Sequence, residues 1–68
     1  MLTERLRNAE HTRRFSIVAT KSGWEVRREE DSRLVRRVEY HDWHRVERAR
    51  RSIALEVSEL EAAGWRRE

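Results

Sequence analysis

Neither cysteine nor proline occurs in this chain of 68 residues, glycine occurs only twice and lysine once. Without cysteine there is no disulfide to staple a small fold and no thiolate to hold a metal. Two glycines are too few for a Gly-rich loop that cradles phosphate. No run approaches the roughly 20 apolar residues of a membrane span. The start, Met1-Leu2-Thr3-Glu4-Arg5-Leu6-Arg7, has no apolar stretch of the kind a signal peptide carries. A cytoplasmic protein with no membrane segment is the expectation.

Charge is what the chain has in abundance. Charged residues make up 43% of it, the net charge is only +3, and fifteen of the sixteen basic residues are Arg. The planar guanidinium fork suits phosphate and carboxylate, although a coding bias that replaces Lys with Arg would give the same count. A surplus of +3 is modest beside that of many nucleic-acid binders. A chain of this length buries only about 60% of its unfolded surface, so its core is marginal. With disulfides and thiolate metals excluded, association with a second copy is the expected reinforcement, and a homodimer is predicted.

Charge this dense can signal disorder, but the punctuation describes a fold. Gly23 follows Ser22 between two alternating segments, with Phe15, Ile17 and Ala19 on one face of the first and Trp24 and Val26 on one face of the second. A two-residue Ser-Gly turn, with glycine reaching φ > 0, sets Ala19 opposite Val26 and Ile17 opposite Arg28. The third segment alternates again through Leu34, Val38 and Tyr40. A three-residue loop, Asp31-Ser32-Arg33, sets Val26 against Val38 and Trp24 against Tyr40; a slip of one would mix core with surface. On the outer face like charges then lie directly opposed, with Glu–Arg pairs on the diagonals.

A helix follows. Asp42 is a suitable N-cap, and Val46, Ala49, Ile53, Val57 and Leu60 form one apolar stripe at three- and four-residue steps. Gly64 at C′ and Trp65 at C″, touching Leu60 at C3, complete a Schellman stop. Residues 1–13 form either an arm or a short helix capped by Thr3, with Leu2, Leu6 and Ala9 on one side. The predicted class is α+β, a single domain over 1–68. It comprises the arm or short helix over 1–13, a three-stranded antiparallel meander within 14–40 (strands 14–20, 24–30 and 34–40), a helix over 42–63 and a C-cap and tail over 64–68. The helix packs on the Phe15/Ile17/Val26/Val38 face.

This helix carries its charge against its own macrodipole. Arg45, Arg48, Arg50 and Arg51 crowd the first half, and Glu56, Glu59 and Glu61 the second. Such an order costs about 0.3–1 kcal/mol per badly placed exposed charge near a terminus. The pattern points outside the helix, to an anionic partner at the Arg end or to a second helix lying antiparallel. His44, Arg48 and Arg51 share the solvent face, with Arg45 and Arg50 on the flanks. Such a row could track phosphates, extended by Arg13, Arg14, Arg66 and Arg67. Leu55 lies on the same face. Two-fold symmetry about it sets Arg51 opposite Glu59 of a partner helix and Arg48 opposite Ala62, which makes Leu55, Arg51, Glu59 and Ala62 a candidate dimer interface. A single exposed Leu is equally a common surface feature.

Catalysis finds little to work with. His41 and His44, with Glu47 a turn on, converge poorly because His41 precedes the cap, so no metal site is expected. Glu29, Glu30 and Asp31 sit on a hairpin tip where water keeps carboxylates ordinary. No catalytic residues and no cofactor are expected. Trp24 and Tyr40 belong to the core face and Trp65 to the helix stop, which leaves Trp43 without an evident structural role.

If the arm is helical, the order α-β-β-β-α resembles the double-stranded-RNA-binding domain. The resemblance implies RNA phosphates held at the start of the last helix, where Arg45, Arg48 and Arg51 stand. The family's Gly- and Lys-rich stretch before that helix is missing, the first helix would be short, and acids fill the hairpin tip. The broad expectation is therefore a non-enzymatic, homodimeric protein-interaction or regulatory adaptor. Sequence-independent nucleic-acid binding through the Arg-rich half of the helix is the specific alternative.

Overall fold

Apolar and polar side chains alternate along four successive segments, and each is a strand. The computed structural model describes residues 2–68. It contains β1 (Leu2–Asn8), β2 (His11–Ala19), β3 (Trp24–Glu30), β4 (Arg33–Tyr40), α1 (Trp43–Ala62) and β5 (Arg66–Arg67). The sheet runs β4-β3-β2-β1-β5 with every pair antiparallel. The class is thus α+β, a meander followed by a helix, as the patterning predicts, but the meander has four strands rather than three.

Residues 1–13 are where expectation and structure part. No helix forms over residues 2–13; β1 and the start of β2 occupy them. Leu2 and Leu6 are four apart, a spacing that suits a helix turn and one face of a strand equally. The deciding turn is Ala9-Glu10, with Ala9 at φ 54°, and neither residue is a usual turn former. Leu6 is fully buried as a result. The tail is also more than a cap: Arg66 and Arg67 pair with Arg7 and Leu6. The resemblance to the double-stranded-RNA-binding order required a helix within residues 1–13, and Leu2–Asn8 is a strand, so that comparison lapses.

Two registers carry corrections. Ala19 faces Trp24 and Ile17 faces Val26, because the β2–β3 loop spans residues 20–23 and is closed by the Thr20 N–H donating to the Gly23 carbonyl at 2.8 Å. The shift of two leaves each side chain on its predicted face. Gly23 does not need a positive φ; a Cβ there would collide with the Tyr40 carbonyl oxygen. Between β3 and β4, Val26 faces Val38 and Trp24 faces Tyr40 as expected. The route differs: Asp31 and Ser32 form a two-residue turn with φ of 52° and 66°, and a bulge opposite Arg28/Glu29 supplies the extra residue.

α1 lies across one face. Val46, Ile53 and Val57 pack on Leu6, Phe15 and Ile17, with Leu2, Trp24, Val26, Tyr40, Leu60 and Trp65 around them. Asp42 caps the start by accepting from the His44 N–H at 3.0 Å. The stop is a Schellman motif: Trp65 N–H donates to Leu60 O at 2.9 Å and Gly64 N–H to Glu61 O at 3.1 Å. Trp43 has a role after all, tilted against Trp24 with ring centroids 5.2 Å apart. Among the described residues no helix is long and apolar enough to cross a membrane.

The tips of the two hairpins are tied by Asp31. Its N–H donates to Thr12 O at 2.9 Å, and its carboxylate accepts from Thr12 N–H at 3.0 Å and lies 3.3 Å from His11 Nδ1. These bonds hold its pKa below the ordinary value, the Thr12 amide first and His11 next. A depressed carboxyl pKa stabilises the fold above the unfolded-state pKa and loses that effect as pH falls through the folded-state value. Asp31→Asn keeps the turn geometry but drops the charge. Its stability deficit should be full at neutral pH and begin to shrink only below about pH 4, the unfolded-state range. It should vanish once pH has fallen through the lower folded-state value, which denaturant titrations across pH will read. Independently, Ala9→Gly removes a Cβ from a positive-φ site and should raise stability by about 0.5–1 kcal/mol, measured as a higher urea midpoint at unchanged slope.

Candidate functional site

Two of the three acids in the second half of α1, Glu56 and Glu61, find cations inside the chain, while Glu59 stays exposed. Arg28, reaching up from β3 between helix and sheet, donates from the single nitrogen Nη2 to both Glu56 carboxylate oxygens, at 2.9 and 2.7 Å. Its guanidinium also lies 5.3 Å from the Phe15 ring centroid. Arg67 on β5 stands 3.4 Å from Glu61 and 3.5 Å from Glu4. Two of the three acids of the reversed helix charge are therefore answered without a second chain.

The basic half is not answered. Arg50 meets Glu47 at 3.4 Å, within the same helix. Arg45, Arg48 and Arg51 are exposed, and among the described residues none of the three has an ion pair or a side-chain hydrogen bond. Arg45 lies in the first turn, which contains no acid. That is where the macrodipole opposes a cation most.

The four terminal arginines do not extend this row. α1 has twenty residues, about 30 Å of rise, and Arg66 and Arg67 follow its far end. Arg13 sits at that end too, its guanidinium 5.0 Å from the Trp65 ring centroid. Arg14 falls on the opposite sheet face, where it is a cross-strand partner of Arg5, while Arg66 pairs with Arg7. Arg5 and Arg7 were missed as members of this second basic group. Their alternation in Arg5-Leu6-Arg7 was the available signal, and it was unreadable while residues 1–13 had no assigned strand.

The candidate dimer residues lie on the outward helix face. Leu55 is 63% exposed, with Arg51 one turn before it and Glu59 one turn after, and Ala62 is exposed beyond them. Beside α1, over β1, runs an apolar groove of about 310 Å³ lined by Leu2, Ile53, Ala54 and Val57, with Arg50 and Arg51 on its rim. His41 Nδ1–H donates to the Ser22 carbonyl oxygen of the β2–β3 loop at 2.9 Å, while His44 is exposed on the helix. Among the described residues no three His, Asp or Glu side chains gather as metal ligands.

No protein-family model, curated protein or solved structure matches this chain. The functional argument rests on the geometry.

The Arg28–Glu56 tie is open to direct measurement. Each group is about one-third exposed, so the coupling is discounted for solvent. A double-mutant cycle with Arg28→Gln and Glu56→Gln should return an interaction of about 1 kcal/mol, and 1 M salt should reduce it.

Proposed function

We propose that this chain is a non-enzymatic binding module that holds a nucleic-acid phosphate backbone, without sequence preference, along the outward face of α1. The observation that carries the reading is the uneven fate of the helix charges. Glu56 and Glu61 are spent on Arg28 and Arg67, whereas Arg45, Arg48 and Arg51 stay exposed and unpaired among the described residues, Arg45 in the first turn and so set against the macrodipole. An anionic strand along the helix would relieve that arrangement and use the fork that Arg offers phosphate. The proposal includes a cytoplasmic setting.

A second reading, a homodimer acting as a protein-interaction adaptor, is favoured by Leu55. Its 63% exposure between Arg51 and Glu59 is the pattern an antiparallel helix pair would use. Pairing two copies edge to edge through the uncharged stretch from Phe15 to Thr20 has no footing, because β2 lies inside the sheet.

One experiment separates the readings. Under phosphate binding, affinity for a DNA or RNA duplex falls linearly with salt on logarithmic axes, and Arg48→Gln or Arg51→Gln each lowers the slope by about 1. Sedimentation would then be unchanged by either substitution. Under helix pairing, Arg51→Glu weakens a dimer that adding Glu59→Arg restores. Salt-independent or absent duplex binding together with that rescue overturns the nucleic-acid reading in favour of assembly.

A further inference from the structure

The sheet face away from α1 has no covering layer, and its charges are of two kinds. Toward β4, Arg27 and Arg37 face each other across the strands, a like-charge pairing that disfavours the sheet. There the chain supplies its own remedy. Glu25, only 6% exposed, accepts from Arg27 Nε and stands 3.6 Å from Arg37 Nε. Toward β1 the same pairing recurs without the remedy. Arg5 faces Arg14, and Arg7 faces Arg66.

These side chains line a groove of about 260 Å³, bordered by Arg5, Arg7, Thr12, Arg14, Glu29 and Glu68. The two acids do not saturate it. Glu29 is 3.9 Å from Arg14 Nη1, outside hydrogen-bond reach, and Glu68 is 3.4 Å from Arg7 Nε at the rim. Arg14 Nε is buried and has no acceptor. A charged donor in that state loses the water bonds it had and gains nothing in exchange.

We infer that this groove is a binding site for a phosphate-class oxyanion, held by Arg5, Arg7 and Arg14 with the Thr12 hydroxyl beside them. A tetrahedral dianion supplies what Glu25 supplies on the other half of the face. It gives one centre of negative charge shared by opposed guanidiniums, and an acceptor for Arg14 Nε. Arg14 and Arg7 present planar forks on neighbouring strands, a better match to several oxygens than to one distant carboxylate. The site lies on the opposite side of the sheet from α1 and does not depend on the reading given for that helix.

The test is a titration with inorganic phosphate, followed by nitrogen-15 NMR of the arginine Nε–H groups. Saturable shifts at Arg14 and Arg5, with none at Arg48, are expected. Arg14→Gln, and Arg14→Lys, which keeps the charge but loses the fork, should each weaken phosphate binding about tenfold. Arg5→Gln, at an exposed side chain, gives the same reading should the Arg14 variants fail to fold. Arg48→Gln should leave the affinity unchanged whatever it does to duplex binding. A parallel titration with a DNA duplex identifies the source of the group. Loss of duplex affinity in Arg5→Gln marks a backbone phosphate, and loss of phosphate affinity alone marks a free or small-molecule phosphate. Shifts that never saturate, or phosphate affinity unchanged in Arg14→Gln and Arg5→Gln, overturn the proposal.

Discussion

A single helix has to cover a five-stranded sheet, and the rest of the molecule follows from that mismatch. A helix with its side chains is about 10 Å wide, whereas five strands at about 4.8 Å spacing span roughly twice as much. α1 therefore seals only the middle. Leu6, Phe15 and Ile17 on β1 and β2 meet Val46, Ile53 and Val57, while Val26, Val38 and Tyr40 toward the β4 edge remain half-buried. The other sheet face gets no layer at all. Yet Ser16 and Glu25 on that face are buried, so neighbouring side chains on the same face must do the covering. Long arginine stems lying over the strands, with the charged ends in water, suit that task.

This gives the arginine excess a physical content that a coding bias lacks. A bias accounts for the number of arginines and says nothing about where a planar fork is required. Arg28 sets its guanidinium over the Phe15 ring while one nitrogen, Nη2, donates to both oxygens of the Glu56 carboxylate, so the weakly hydrated group serves a stack and an ion pair at once. Glu25 sits between Arg27 and Arg37. The like-charged cross-strand pairs Glu25–Glu39 and Arg27–Arg37 are tolerated because the diagonal contacts have opposite sign.

How far the fold could be read in the sequence depended on whether its signals were local. α1 was legible from both ends, because Asp42 and the Gly64-Trp65 stop are each specified within a few residues. The faces of β2 and β3 were legible from alternation alone, and that of β4 only from Arg36 to Tyr40. Before the bulge Leu34 falls opposite Glu29 on the face away from α1, not beside Val38 and Tyr40 as its spacing predicts. β1 was not, since Leu2 and Leu6 satisfy two periods and Ala9-Glu10 hides its turn behind a residue that seldom takes a positive φ. The Val26–Val38 pairing was reached by a wrong path. One extra residue was needed, and placing it in a bulge instead of the loop left Val26–Val38 and Trp24–Tyr40 unchanged but set Glu29 opposite Leu34 and Glu30 opposite Arg33. The same limit governs the candidate site. The helix arginines were visible as a row on one element, whereas the Arg5, Arg7 and Arg14 group exists only once β1 is paired with β2.

The edges decide what kind of partner the molecule can meet. β4 carries a bulge together with Arg33, Arg36 and Arg37, and the opposite edge ends in the two residues of β5. Charge, irregularity and brevity are the devices that stop a sheet from growing through its edges. A partner is thereby directed to a face. Both open faces, the outward side of α1 and the bare side of the sheet, present guanidinium groups. On each, the nearby carboxylates are spent where the fold needs them, on Arg28 and Arg67 under the helix and on Arg27 and Arg37 over the sheet. A chain with a net charge of only +3 can in this way offer two surfaces more basic than its composition suggests, because Glu25, Glu56 and Glu61 are used internally while Arg45, Arg48 and Arg51 are not.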